Sequence, residues 1–226
     1  NELLAAGKVT IKENNLDLTV DYGVPQAQTQ FELDLADDAD IPAQLQDIVD
    51  AARSAGVILT GFVTSRKVIT KMRKNEAIQK AINGTYGAGA LVRETALREY
   101  LNEEYGLGTI ITNDLTYGAE AVIGADGRPV VKSERFFPED KVTFFATMVG
   151  GRIGSGLWGD PPESDVASFG LNVAVSEASP FVYVSQYVTD DPVVLWTKAS
   201  TLFMPVLYNP NSLWIATVKA EENPAG

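Results

Sequence analysis

The sequence predicts an α+β fold, and three observations carry that prediction. An alternating hairpin opens the chain, amphipathic helical patterns follow as far as Gly106, and from Thr109 onward the pattern is almost entirely strand. Helices and strands are thus segregated along the chain instead of alternating as βα units. With 226 residues, there is enough chain for one sizeable core or for two lobes.

Asn1–Gly7 reads as the last turn of a helix, because good helix formers run into a glycine placed where a C-terminal cap belongs. A helix with no visible start implies that its earlier turns precede Asn1. Lys8–Lys12 and Leu16–Val20 alternate in polarity around the turn-forming Glu13-Asn14-Asn15, which predicts a hairpin. Tyr22-Gly23-Val24-Pro25 ends it, and a polar, extended stretch runs to Ala36.

Three or four helices follow. Ile41, Leu45, Ile48, Val49 and Ala52 form one apolar stripe, with Asp40 as cap, Pro42 in the first turn and Gly56 as terminator. Val57-Ile58-Leu59 reads as a short buried strand, followed by helices over Ser65–Lys74 and Asn75–Ile82. Tyr86–Gly89 is a link. Leu97, Tyr100, Leu101 and Tyr105 mark a further helix closed by Gly106.

Strands are predicted at Thr109–Thr112, Glu120–Ile123, Pro129–Ser133, Val142–Val149, Phe181–Val188, Val193–Thr197, Leu202–Leu207 and Leu213–Val218. Ala125-Asp126-Gly127-Arg128 is a hairpin turn. Gly150–Gly159 reads as a glycine-rich turn between strands, ended by the stiff Asp160-Pro161-Pro162-Glu163.

Composition excludes whole classes of chemistry. Without cysteine or histidine there is no Ser-His-Asp triad, no cysteine nucleophile and no Cys/His zinc site. A net charge of −12 opposes a surface that grips nucleic acid, which needs cations to displace counterions. No apolar run has transmembrane length, so no membrane partner is expected.

The remaining candidate sites have plain readings. Asp34, Asp37, Asp38 and Asp40 lack the glycine and the distant glutamate of a calcium loop, and they precede a helix whose dipole favours negative charge. Neither metal nor cofactor is therefore expected. The glycines after Val149 are not followed by a helix, so no phosphate-cradling loop is predicted, and the same holds for Gly84–Gly89. Trp158, Trp196 and Trp214 are conceivable sugar platforms, but Trp196 and Trp214 lie in alternating apolar strands, where core packing is the expectation. Arg66, Lys67, Lys71, Arg73 and Lys74 form a basic cluster on one helix of an acidic chain. It is either a solvated face or a contact for an acidic patch on a neighbouring copy.

In order along the chain, Leu4-Ala5-Ala6-Gly7-Lys8 with the hairpin and Val20–Pro25, then Asp38-Ala39-Asp40-Ile41, Phe137–Val142, Gly156–Glu163 and Ser200–Pro210 form a series that resembles the phage major capsid protein E family, the lambda-type branch of the Hong Kong 97 capsid fold. Leu4-Ala5-Ala6-Gly7-Lys8, the hairpin and Val20–Pro25 resemble the end of its spine helix and the segment after it. Asp38-Ala39-Asp40-Ile41 is similar to its next helix start, and Phe137–Val142 to its strand entry. Gly156–Glu163 resembles its Gly-x-x-Gly…Pro-Glu loop, and Ser200–Pro210 its closing strand pair. No single motif is diagnostic; the ordered set covers nearly the whole chain.

The resemblance implies a shell-building protein without a reaction centre. It implies a peripheral lobe of long strands (1–34 and 180–226) with an inserted axial lobe (35–179), and an N-terminal arm, extended loop and most of a spine helix ahead of Asn1. Implied partners are copies of the chain in pentamers and hexamers, scaffolding and portal proteins, and packaged DNA held without sequence-specific contacts. The implied location is the virion, with assembly in the host cytoplasm. Without arm and loop, the chain alone is expected as monomers or small oligomers. The competing readings are an acidic glycosidase or carbohydrate-binding domain and a nanocompartment shell of the same fold.

Overall fold

The computed structural model describes residues 2–13, 16–84, 89–123, 129–147, 152–162, 174–190 and 193–219. They fall into two units, one of Asn1–Ile153 with Asn209–Gly226 and one of Gly154–Tyr208. The predicted turn at Asn14-Asn15, most of the Tyr86–Gly89 link, the Ala125–Arg128 turn, Gly150-Gly151 and Glu163 lie outside the described residues.

The first unit opens with α1 (Glu2–Ala6) and a hairpin, β1 (Lys8–Glu13) with β2 (Leu16–Asp21). Gly7 follows α1 with φ +67, the left-handed conformation that its predicted capping place requires, and its amide returns to the Leu3 carbonyl at 2.8 Å. Then come β3 (Phe31–Leu33), α2 (Ile41–Ser54), β4 (Gly61–Thr64), α3 (Arg66–Lys74), α4 (Glu76–Asn83), α5 (Glu94–Tyr105) and β5 (Thr109–Thr112). A second hairpin, β6 (Thr116–Ile123) with β7 (Pro129–Arg135), leads to β8 (Lys141–Phe145).

Five strands form a mixed sheet in the order β3-β13-β8-β4-β5, where β13 is Leu213–Val218. β13 runs parallel to β3 and antiparallel to β8, and β4 runs antiparallel to β8 and parallel to β5. Side chains alternate between the two faces. Phe62, Val142, Phe144, Trp214 and Ala216 join the main core with Ile41, Leu45, Ile48, Met72, Ile78, Leu97 and Leu101 of α2–α5. Val63 and Phe145 point the other way, into a smaller cluster with Ala5 and Phe137. There the Thr143 hydroxyl donates to the Leu4 carbonyl at 2.7 Å, fixing α1 to the sheet. With both faces covered, all four residues of β4 are buried. Phe62 and Phe144 pack at 5.5 Å between ring centroids, and burying each contributes about 1.5–3 kcal/mol.

Sequence and structure differ at this sheet. Val57–Leu59 is not a strand; Ile58 is exposed, and pairing begins two residues past Leu59, at Gly61. Gly61 ranks as a breaker by propensity, but a Cβ there would lie 2.1 Å from the Thr109 carbonyl oxygen, so close approach to β5 requires glycine. β3 lies within the stretch read only as extended.

The second unit is a four-stranded antiparallel sheet in the order β10-β11-β12-β9. Its strands are β9 (Gly154–Gly159), β10 (Ala174–Ser179), β11 (Val182–Asp190) and β12 (Val193–Leu207). Here the reading of Gly150–Gly159 as a turn is corrected for its described part: Gly154–Gly159 pairs residue for residue with Leu202–Leu207. The glycines admit a close partner, since a Cβ on Gly156 would meet the Phe203 ring at 2.3 Å. The two predicted strands Val193–Thr197 and Leu202–Leu207 are one 15-residue strand. Its polar centre, Lys198–Thr201, continues the ladder with β11. Trp196, expected in a core, is 51% exposed and stacks on Tyr187, whereas Trp214 is buried as expected.

β3 and β13, expected with the peripheral strands, belong to the same sheet as β4, β5 and β8.

Candidate interaction surface

The basic cluster is carried by α3, whose start is fixed twice. Ser65 caps it, its hydroxyl accepting the Val68 amide at 3.4 Å and donating to the Glu139 carbonyl at 3.2 Å. Asp114 accepts the Arg66 amide at 3.1 Å, which places a carboxylate at the positive end of the helix dipole. Val68, Ile69 and Met72 face the core, so the helix turns its cations outward.

The five predicted residues have distinct surroundings. Lys67 donates to Glu139 Oε2 at 3.2 Å, an exposed pair that contributes at most about 1 kcal/mol. Arg73 Nε donates to the Val92 carbonyl at 2.7 Å and thereby ties α3 to the segment before α5. Arg66 and Lys74 are exposed, and Lys71 is half-buried. Lys67 and Lys71 line a groove of about 400 Å³ with Leu35, Val68, Glu139, Asp140, Val218 and Lys219. Its floor is apolar and its rim carries charge of both signs.

Sequence reading missed the acidic and basic residues that organise this face. Arg135, at the end of β7, donates to Asp114 and, at 2.9 Å, to Glu139. Burial alone would raise the Asp114 carboxyl, but the Arg66 amide and the Arg135 guanidinium outweigh it and hold it below the ordinary carboxylate range. Arg135 and Asp114, 21 positions apart, meet at the ends of the β6–β7 hairpin, whereas Lys67 and Glu139, 72 apart, are brought together by the pairing of β4 with β8. The one sequence signal was the Phe137–Val142 segment, noted for its resemblance.

The acidic run is held by backbone bonding. Asp40 caps α2, accepting the Ala43 amide at 3.1 Å, and Asp34 accepts the Ala36 amide at 3.0 Å. Buried Asn75 donates to the carbonyls of Ala36, Asp37 and Ala39. Among the described residues no group of three or more His, Cys, Asp or Glu is placed to hold a metal ion, and no helix is long and apolar enough to cross a membrane.

Comparison with known proteins locates the fold. A solved structure of a prophage protein from E. coli CFT073, assigned as a capsid protein, matches 96% of this chain with a TM-score of 0.59 at 15% identity. The chain spans 60% of that protein's length. At that identity the likeness shows the fold alone, and it agrees with the expected α+β capsid architecture. A phage-related protein from Bordetella bronchiseptica RB50 matches 86% of the chain and 59% of its own, with 9% identity and a TM-score of 0.49. No curated protein matches the chain. The family model for phage major capsid protein E matches residues 1–218. With nearly its whole length so matched, the chain belongs to the phage major capsid protein E family.

Proposed function

We propose that this chain is the shell-forming part of a head protein, assembling with copies of itself into an icosahedral shell around the double-stranded DNA of a tailed phage or prophage. The observation that carries this reading is the family match over residues 1–218. Composition agrees with it, because without cysteine or histidine the chain has no Ser-His-Asp triad, cysteine nucleophile or Cys/His zinc site. A net charge of −12 keeps packaged DNA from adhering to the wall. Pentamers and hexamers are the proposed assemblies, scaffolding and portal proteins the proposed helpers, host cytoplasm the place of assembly and the virion the destination.

The lobe mapping is proposed in amended form. The long strands β11 and β12 belong to the peripheral lobe, while β3 and β13 go with the axial lobe, a change supported by their pairing in one sheet with β4, β5 and β8. Within the axial lobe, Arg66, Lys67, Lys71, Arg73 and Lys74 are proposed to face a neighbouring copy. Electron microscopy of the complete gene product, expressed alone and with its neighbouring genes, tests the reading. Closed shells are expected; a product that stays dispersed under every condition would defeat it.

A further inference from the structure

We propose that the basic face of α3 on one copy docks against the acidic face of α5 on a second copy. This rests on the self-assembly reading and names the surface that the α3 cations meet.

The argument begins with an unfavourable feature of α5. Glu99 and Glu103 stand at i and i+4 with Glu104 beside them, all exposed, and the last turn contains no cation. Like charges at that spacing repel, and carboxylates near a helix C-terminus oppose its dipole. Within the same helix Arg98 is held by Glu94 at 2.9 Å and by the Ile110 carbonyl. None of the three glutamates has an ion-pair partner among the described residues. Cations from outside the chain would relieve all of these contacts together.

α3 carries the complement. Its nine residues include five cations and no acid, and Arg66 and Lys74 extend from the surface. The two faces lie on different helices of one chain and have opposite sign. A contact of α3 with α3 would set cation against cation, whereas α3 with α5 satisfies both. Such a contact is heterologous: each copy offers one face forward and the other back, which generates a ring when the rotation closes. Charge complementarity of this kind chiefly raises the association rate and fixes the register.

The test uses the complete gene product. Lys71→Glu with Lys74→Glu reverses α3, and Glu103→Lys with Glu104→Lys reverses α5. Each pair alone should slow shell assembly, followed by light scattering, about tenfold. All four together should bring the rate back toward the parent's. Thermal melts confirm that each variant folds. Separately, subunits carrying only Lys74→Cys are co-assembled with subunits carrying only Glu103→Cys. Residues 1–226 contain no cysteine, and with any cysteine elsewhere in the gene product replaced by serine, oxidation should give a disulfide-linked dimer absent from either variant alone. Unchanged rates in both reversed pairs, no recovery in the combination, or no dimer from intact shells would overturn the α3–α5 contact and leave the assembly reading standing. Failure of the parent to form shells would instead defeat that reading, and the contact with it.

Discussion

Asn75 Nδ2 lies 2.7 Å from the carbonyl oxygen of Ala39, reaching from the junction of two helices to the acidic segment before α2. The same amide also meets the carbonyls of Ala36 and Asp37, while its oxygen accepts the Ile78 amide and caps α4. Asn75 is fully buried. Asn75→Ala should therefore cost about 2–4 kcal/mol, combining a lost cap with stranded carbonyls. Asn75→Asp keeps the cap but turns a carboxylate toward three carbonyl oxygens, so it should be no milder. Urea denaturation of both variants checks this.

Asp114 supplies a pH dependence. Its folded pKa lies below the ordinary 3.8, so its contribution is fully present above that value and is lost as pH falls through the folded pKa. Asp114→Asn should cost about 1 kcal/mol at neutral pH, a figure kept small because the carboxylate is partly exposed. Below about pH 3.8 the gap between parent and variant should shrink. Unfolding curves recorded from pH 7 downward measure it; a gap that widened in acid would contradict the assignment.

Two glycines separate steric from conformational demand. A methyl on Gly61 collides with the Thr109 backbone, so Gly61→Ala should force β4 and β5 apart and cost about 2–4 kcal/mol. Gly56 has φ +76 and open space around it, so Gly56→Ala should cost only about 1 kcal/mol. Equal losses in denaturant melts would show that crowding at Gly61 is relieved by sliding of the strands.

Light scattering of the 226-residue chain alone should show mainly monomers or small oligomers at micromolar concentration. Closed shells from it would mean that residues 1–226 suffice to interlock neighbours.

Legibility in the sequence divides along physical lines. The α2 stripe is buried residue for residue at Ile41, Leu45, Ile48, Val49 and Ala52, because a one-sided helix has only one way to face a core. The cap at Asp40 was legible too, since it depends on chemistry only a few positions away. β4 was misplaced because glycine weighs against a strand by propensity, while the reason for Gly61 lies in β5. Likewise the polar Lys198–Thr201 looked like a break in β12, although backbone pairing with β11 does not depend on side-chain polarity. The α3 cluster was visible as composition; the Lys67–Glu139 pair beside it required the register of β4 against β8.

The place of β13 governs when the five-stranded sheet can close. It lies between β3 and β8, yet it follows every other described strand in the chain, pairing Ala216 with Phe31 and Ile215 with Thr143. During synthesis β3 and one side of β8 must wait with open ladders, which invite wrong partners. Closing so long a loop is also slow. Until translation has passed Val218, a subunit cannot finish its own sheet, so maturation of the monomer sets the earliest moment at which it can recruit a neighbour.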